Sequence, residues 1–356
     1  MDRYPIKGTL PAKEEKIVFD GTFRGKYRGF AVFLICCAIL IAAFAVSAVW
    51  KQGGDGGFGK LGAFWQNEDE TTAAGEQDTT AETPPSNEPP SPPAPIPEGA
   101  TPVVEKDLSY PSLGQSYLHN ETPYKPCVED LLKQEITFGA SSGEPLVLIL
   151  HTHTSERYLP DGTTYVEGAI GDVAYSRDAT ENVLAVGEVL CRTLNEKGIP
   201  AIHCTEMHDD PTLSGSYARA EKTVKSYLEQ YPTIVLVIDL HRDAVMTADG
   251  ELVRTMAGDG ERAQVMAVVG TDANGTPHPR WKENLALALQ LRERMNGSVT
   301  GACRPVSLRN ASFYQELAQY SLLLEIGTVA NSPEEAKLAA RTVGEQLAVL
   351  IQSAVR

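Results

Sequence analysis

The stretch PTIVLVIDLHRDA, residues 232–244, decides the fold of this chain. Its central part, residues 234–240, is apolar except for Asp239. Such a run is typical of a strand in a parallel sheet that is covered on both faces. Runs of the same kind predict four further strands, at residues 146–150, 199–202, 265–269 and 322–326.

Helical patterns alternate with these strands. Residues 181–197 and 281–296 each carry apolar residues at helical spacing. A last helix begins at SPEE, where Ser332 is the capping residue, Pro333 takes the first helical position and Glu335 the third. Strands that alternate with helices predict an α/β fold, with a mostly parallel sheet flanked by helices.

Polar residues follow three of the predicted strands, at the edge of an α/β sheet where ligands usually bind. The first strand is followed by His151, His153 and Glu156, and the third contains or is followed by Asp239, His241, Arg242 and Asp243. The fifth contains Glu325 in an apolar context, with Asn331 shortly beyond it.

Three histidines at two strand ends are the ligands that a catalytic zinc needs, since they leave one position for water. A carboxylate nearby would take the proton of that water and return it to a leaving amine. Glu325 has the alternative of a buried structural carboxylate paired with Arg242. Three other histidines and two of the cysteines are interpreted as ordinary core or surface residues: His203, His208, His278, Cys191 and Cys204.

Composition restricts the class of protein. The 356 residues include 31 basic and 47 acidic ones, for a net charge of −16, and 42% are hydrophobic. These values exclude a mostly disordered chain, a small disulfide scaffold and a typical nucleic-acid binder, because a polyanionic surface repels phosphate.

The chain before the α/β region differs strongly in composition. Residues 1–28 form a basic tail and residues 29–50 contain no charge, which predicts a cytoplasmic tail and one transmembrane signal anchor. A cleaved signal peptide is the alternative for the apolar run. Residues 51–106 are acidic and rich in proline, which predicts a disordered linker, and residues 107–356 are predicted to be the extracytoplasmic catalytic domain.

An ordered set of motifs resembles the stage II sporulation protein P (SpoIIP) family. The motifs are HTHTSERY, ENVLAVGEVLCRTLNEKGIPAIHCTEMHD, SYARAEKTV, YPTIVLVIDLHRDAV, AVVGTDANGTPHPRWKENLALA and FYQELAQYSLLLEIGTVANSPEEA, and they run from about residue 145 to the C-terminus. No single motif is decisive, but their order is specific.

The resemblance implies a zinc-dependent peptidoglycan hydrolase that acts in engulfment during sporulation, with N-acetylmuramoyl-L-alanine amidase and endopeptidase activities and the fold of zinc-dependent cell-wall amidases. It also implies SpoIID and SpoIIM as partners and a place in the mother-cell membrane that faces the forespore. The family's site residues fall on His151, His153 and His241 as metal ligands and on Glu325 as the catalytic acid–base, with Arg242 beside them. Glu156 or Asp178 is an additional ligand or base, and Gln315 and Asn331 are expected to contact substrate.

Two other functions fit part of the pattern. An amidohydrolase barrel also places two histidines after its first strand, but it needs about eight strand–helix units. A non-enzymatic module that binds the cell wall would need the same fold without a metal.

Overall fold

The computed structural model describes residues 95–109, 117–139 and 143–354. The strands are β1 Thr101–Lys106, β2 Leu118–Asn120, β3 Val147–Leu150, β4 Tyr165–Val166, β5 Ala201–His203, β6 Leu236–Asp243, β7 Leu252–Thr255, β8 Val265–Gly270, β9 Val306–Arg309 and β10 Tyr320–Thr328. The helices are α1 Val128–Lys133, α2 Ile170–Val173, α3 Val183–Glu196, α4 Ser216–Gln230, α5 Trp281–Ser298 and α6 Pro333–Ala354, with a 3₁₀ turn at Asp272–Asn274.

The main sheet has seven strands in the order β2-β9-β8-β10-β6-β3-β5. Every neighbouring pair is parallel except β8 and β10, which are antiparallel. A second sheet of three strands has the order β4-β1-β7. The predicted α/β fold with a mostly parallel sheet is therefore confirmed. The main sheet is open at β2 and β5, which contradicts the amidohydrolase barrel.

Alternation along the strands assigns residues to the two faces of the main sheet. Val147 and Ile149 of β3 pack in the large core with α3, α5 and α6. Leu148 and Leu150 of the same strand pack in a smaller core with Ala220 and Val224 of α4 and with Tyr314. Helices therefore cover both faces, and the small core lies on the α4 face.

The apolar runs predict β3, β6, β8 and β10 to within a few residues, because these strands lie in the middle of the sheet and are buried along their length. The prediction misses β9 and the long helix α4. It also assigns residues 101–106 to the linker, whereas they form β1 and pair with β7 in parallel. The folded part of the chain thus begins before residue 107.

No helix formed by residues 95–109, 117–139 or 143–354 is both long and apolar enough to cross a bilayer. As far as the described residues extend, this finding contradicts the predicted localisation as a single-pass membrane protein. Residues 1–94, which include the predicted tail, the predicted anchor at 29–50 and most of the predicted linker, lie outside the described residues.

Candidate active site

Strand register brings three acidic or basic side chains to the α4 face of the sheet. Leu236, Ile238 and Leu240 of β6 belong to the large core on the opposite face. Asp239 and His241 alternate with them and therefore lie on the α4 face. Glu325 of β10 is the register partner of His241, so it lies beside His241 on the same face.

His241 is buried between two carboxylates. Its Nδ1 lies 3.3 Å from Glu156 Oε2, and its Nε2 lies 3.0 Å from Asp239 Oδ1. Asp239 is itself fixed, since it accepts hydrogen bonds from the backbone N–H of Thr152 at 2.8 Å, from the Thr152 hydroxyl at 2.8 Å and from the Tyr314 hydroxyl at 2.5 Å. Both carboxylates thus lie within ion-pair distance of the imidazole, although Nε2 of His241 has no hydrogen bond of good geometry among the described residues.

The charges of this group stabilise one another. Burial alone would lower the pKa of His241, but the carboxylates of Asp239 and Glu156 raise it well above its usual range. Burial alone would raise the pKa of Glu156, but His241 and Arg242 lower it to about 2. Burial also opposes ionisation of Asp239, yet His241 and the hydrogen bonds from Tyr314 and Thr152 lower its pKa. The result is a buried carboxylate–imidazolium–carboxylate group.

Glu325 lacks such support. Its Oε2 is buried and has no hydrogen-bond partner among the described residues. Burial and the nearby Asp243 and Glu156 carboxylates raise the pKa of Glu325 to about 8, although His241 and Arg304 act in the opposite direction. The alternative of a Glu325–Arg242 pair is not what the structure forms, because the guanidinium of Arg242 lies near Glu156 instead.

His153 lies next to His241 but not on a strand. Strand β3 ends at Leu150, and the turn that follows carries His153 to the α4 side. Its ring centroid lies 5.3 Å from that of His241 and 5.6 Å from that of Tyr217 in α4, edge-on in both cases. Burial lowers its pKa, which favours the neutral imidazole that metals bind.

His151 lies on the other face of the sheet, with α3. Its Nδ1 donates to Leu240 O at 2.8 Å, and its Nε2 lies 2.8 Å from His203 Nε2. A Cβ atom at Gly187 of α3 would lie 2.6 Å from both Nε2 atoms. Burial and His203 lower the pKa of His151 to about 3. The structure therefore does not bring His151 together with His153 and His241, because β3 ends at Leu150: His151 stays on the α3 face, whereas the turn that follows carries His153 to the α4 side.

Arg242 and Asp178 take supporting positions. The Arg242 side chain donates to Arg157 O at 2.9 Å and to Ala174 O at 2.5 Å, and its backbone N–H donates to Glu156 Oε2 at 3.1 Å. It thus fixes the loop that carries Glu156. Asp178 is exposed, and its Oδ1 accepts from the backbone N–H and the hydroxyl of Thr180, so it shapes the turn before α3.

Gln315 and Asn331 have their amide groups in hydrogen bonds with the protein. Gln315 is buried; it donates to Val268 O at 2.9 Å and accepts from the N–H of Gly270 at 2.7 Å. Asn331 is buried too; it donates to Thr255 O at 3.0 Å and its Oδ1 accepts from the N–H of Thr328 at 2.9 Å. Both therefore join neighbouring segments of backbone, and a contact with substrate stays a prediction.

The sequence reasoning assigns no role to Tyr314, Thr152 or Asp239. Phe313 and Tyr314 are consecutive, and both have positive φ: 52° for Phe313 and 45° for Tyr314. Residues other than glycine rarely adopt this conformation and, where they do, often lie at functional sites. Two large aromatic residues in series are hard to recognise as strained from sequence, so the signal appears only in the structure.

The residues on the α4 face are of the types that bind a divalent cation. His241 Nδ1 and Glu156 Oε2 are 3.3 Å apart, His153 supplies a second imidazole, and Asp239 Oδ1 lies 3.0 Å from the far nitrogen of His241. His241 Nε2 and Glu325 Oε2 are both buried without a hydrogen-bond partner among the described residues. The ligand atoms of His153, Glu156 and His241 do not all lie within 4.8 Å of one another. Among the described residues, Cys204, Glu206 and His208 are the group of three whose ligand atoms do.

Comparison of the chain with known proteins gives one family. The family model of stage II sporulation protein P (SpoIIP) matches residues 65–348. The stage II sporulation protein P of Bacillus subtilis (strain 168) is 28% identical over 211 residues, which are 56% of this chain and 49% of the relative. The match thus spans about half the length of that relative.

Several solved structures are similar to the chain at low sequence identity. The N-acetylmuramyl-L-alanine amidase Ami1 of Mycobacterium abscessus is 15% identical, with a TM-score of 0.35, and the match covers 58% of this chain and 98% of that one. The N-acetylmuramoyl-L-alanine amidase AmiC2 of Nostoc punctiforme is 17% identical, with a TM-score of 0.35 and coverages of 60% and 98%.

Proposed function

Because the SpoIIP family model matches most of its length, the chain belongs to the stage II sporulation protein P family, and we propose that it is a peptidoglycan hydrolase. The bond cleaved is the amide between N-acetylmuramic acid and L-alanine, and an endopeptidase activity on the stem peptide accompanies it. The observation that carries the proposal is the cluster on the α4 face, where His241 lies between two carboxylates and beside Glu325.

The proposed metal is zinc, held by His153, His241 and Glu156. This set replaces His151 of the sequence-based prediction by Glu156, which gives the two imidazoles and one carboxylate that are common in catalytic zinc sites. When bound, zinc supplies Lewis-acid polarisation of the scissile carbonyl and of the attacking water. Asp239, whose Oδ1 lies 3.0 Å from Nε2 of His241, would be the outer-sphere carboxylate that orients the ligating ring.

Glu325 moves the proton in this proposal. Its carboxylate takes a proton from the water whose oxygen attacks the amide carbon, and it returns that proton to the nitrogen as the carbon–nitrogen bond breaks. The products are a carboxylic acid on the sugar side and a free amine on the peptide. Its Oε2 is shielded from solvent, and a pKa of about 8 suits a group that must hold and release a proton near neutral pH.

Family membership supports the remaining parts of the proposal. The role is engulfment during sporulation, and the partners are SpoIID and SpoIIM-type proteins in addition to peptidoglycan. The catalytic domain extends from β1 to α6, since Thr101–Lys106 pair with β7 of the same fold.

Digestion of purified peptidoglycan by the full chain tests the proposal. Mass spectrometry should show stem peptides with a free N-terminal alanine and glycan strands that have lost them, and Glu325→Gln should not release them. If the wild-type chain binds peptidoglycan but releases no fragments with or without zinc, it is a wall-binding module rather than a hydrolase.

A further inference from the structure

Three potential metal ligands meet where strand β5 ends. Cys204 follows the strand, and Glu206 and His208 lie in the loop after it. One ligand atom from each lies within 4.8 Å of the others, as a sulfur, an oxygen and a nitrogen. None of the three belongs to the cluster of His153, Glu156, His241 and Glu325. The group therefore needs an explanation of its own.

The ring of His208 is oriented as metal-binding histidines usually are. Its Nδ1 lies 2.8 Å from His151 O, and a carbonyl only accepts, so Nδ1 carries the hydrogen. In the neutral ring Nε2 then presents a lone pair, 3.8 Å from Glu206 Oε2. A backbone carbonyl that fixes the tautomer in this way is the common outer-sphere partner of a ligating histidine.

The hydroxyl of Thr223 lies at this lone pair. It is 2.9 Å from His208 Nε2, 3.0 Å from Glu206 Oε2 and 3.4 Å from Arg219 O, and it donates its one hydrogen to one of these acceptors at a time. The His208 side chain is fully buried, whereas that of Glu206 is 64% exposed. A cation between Nε2 and the carboxylate would take the place of the hydroxyl hydrogen at both atoms.

The sulfur of Cys204 lies at a buried position. Cys204 is 4% exposed. A divalent cation displaces the thiol proton when it binds, because the thiolate is the form that coordinates a metal.

We propose that Cys204, Glu206 and His208 bind a thiophilic divalent cation of the zinc type at a structural site, with water or the Thr223 hydroxyl in the fourth position. The ligand types suit such an ion. The Glu206 side chain, 64% exposed, provides the entry path. The site is joined by hydrogen bonds to the turn after β3 that carries His153. Thr154 of that turn donates to Glu206 O at 3.0 Å and accepts from the N–H of His208 at 3.2 Å.

Cobalt spectroscopy tests this site apart from the proposed catalytic one, which contains no sulfur. The metal-free, reduced full chain is titrated with Co²⁺ and its near-ultraviolet spectrum is recorded. Thiolate coordination should produce a sulfur-to-cobalt charge-transfer band that added Zn²⁺ removes. Cys204→Ser should lack the band, whereas Cys191→Ser and Cys127→Ser, which change a buried and an exposed cysteine outside the group, should keep it.

A second variant, at the exposed position Glu206, tests the site even if Cys204→Ser does not fold. Glu206→Gln keeps the shape of the side chain and should weaken cobalt binding about tenfold or more, since even outer-sphere changes cost about 10–100-fold. Two results would overturn the proposal: a wild-type chain without the band, or a band and affinity that neither Cys204→Ser nor Glu206→Gln changes. Peptidoglycan cleavage and its loss in Glu325→Gln do not depend on either result.

Discussion

Replacing Glu325 by glutamine distinguishes a catalytic carboxylate from a merely structural one. The amide keeps the size and shape of the side chain but can neither ionise nor transfer a proton. Turnover of peptidoglycan should therefore fall about 100-fold or more, the usual contribution of a positioned acid–base group. Zinc binding should stay intact, because Glu325 is not among the proposed ligands.

The same substitution should make the folded protein more stable than the wild type at high pH. The pKa of Glu325 rises from 4.5 to about 8 on folding, because of burial and the neighbouring carboxylates. Since the folded-state pKa is the higher one, the stabilisation from protonated Glu325 is complete below pH 4.5 and is lost as the pH rises through 8. At about 1.36 kcal/mol per pH unit, the loss is at most about 5 kcal/mol.

Urea unfolding of the metal-free protein between about pH 5 and pH 9 measures this loss. The difference in unfolding free energy, glutamine variant minus wild type, should increase across that range. Glu229→Gln, at an exposed position of α4, is the matched control and should show a nearly constant difference. Near-normal turnover of Glu325→Gln, together with a difference in unfolding free energy that does not change with pH, would refute both the raised pKa of Glu325 and its catalytic role.

The remaining predictions concern the metal and the packing around it. His153→Ala should lower the zinc content measured by metal analysis by one ion per chain, whereas His151→Ala should leave the zinc of the catalytic site in place, because the two rings lie on opposite faces of the sheet. Asp239→Asn should weaken zinc binding about 10–100-fold in a competition titration, since it removes the carboxylate that orients the ligating ring; an unchanged affinity would contradict that role. Gly187→Ala should lower the free energy of unfolding by about 1–3 kcal/mol, because its Cβ would lie 2.6 Å from two imidazole nitrogens. Gly297→Ala, a helical glycine with open space around it, should instead raise it by about 0.5–1 kcal/mol.

The central strands could be predicted from sequence because their environment is uniform. Residues of β3, β6 and β8 are buried almost throughout, so hydrophobicity alone marks them. Helix α4 is different: among its 15 residues only Ser216, Ala220 and Val224 are buried. A stripe of small residues one turn apart gives little hydrophobic signal, and the helix becomes evident only when the face of the sheet beneath it is known.

The site was only partly predictable for a related reason. Sequence shows that His151 and His153 follow a strand, but it does not show where that strand ends. A strand that ends at Leu150 leaves His151 with α3 and frees the turn to carry His153 across to His241. The pairing of His151 with His203 depends on the parallel register of β3 and β5, a long-range feature that local patterns do not contain.

Register also explains why the proposed base and the proposed metal ligands depend on one another. The pairing of β6 with β10 places Glu325 beside His241, and the β3 loop adds Glu156 on the other side of that ring. With Asp239, three carboxylates then share one imidazolium and the neighbouring Arg242. The structure relieves this excess of negative charge by raising the pKa of Glu325, the carboxylate with an orphaned buried oxygen. A divalent cation between His153, His241 and Glu156 would relieve it in another way and release that proton, so binding of the metal would itself convert Glu325 into a base.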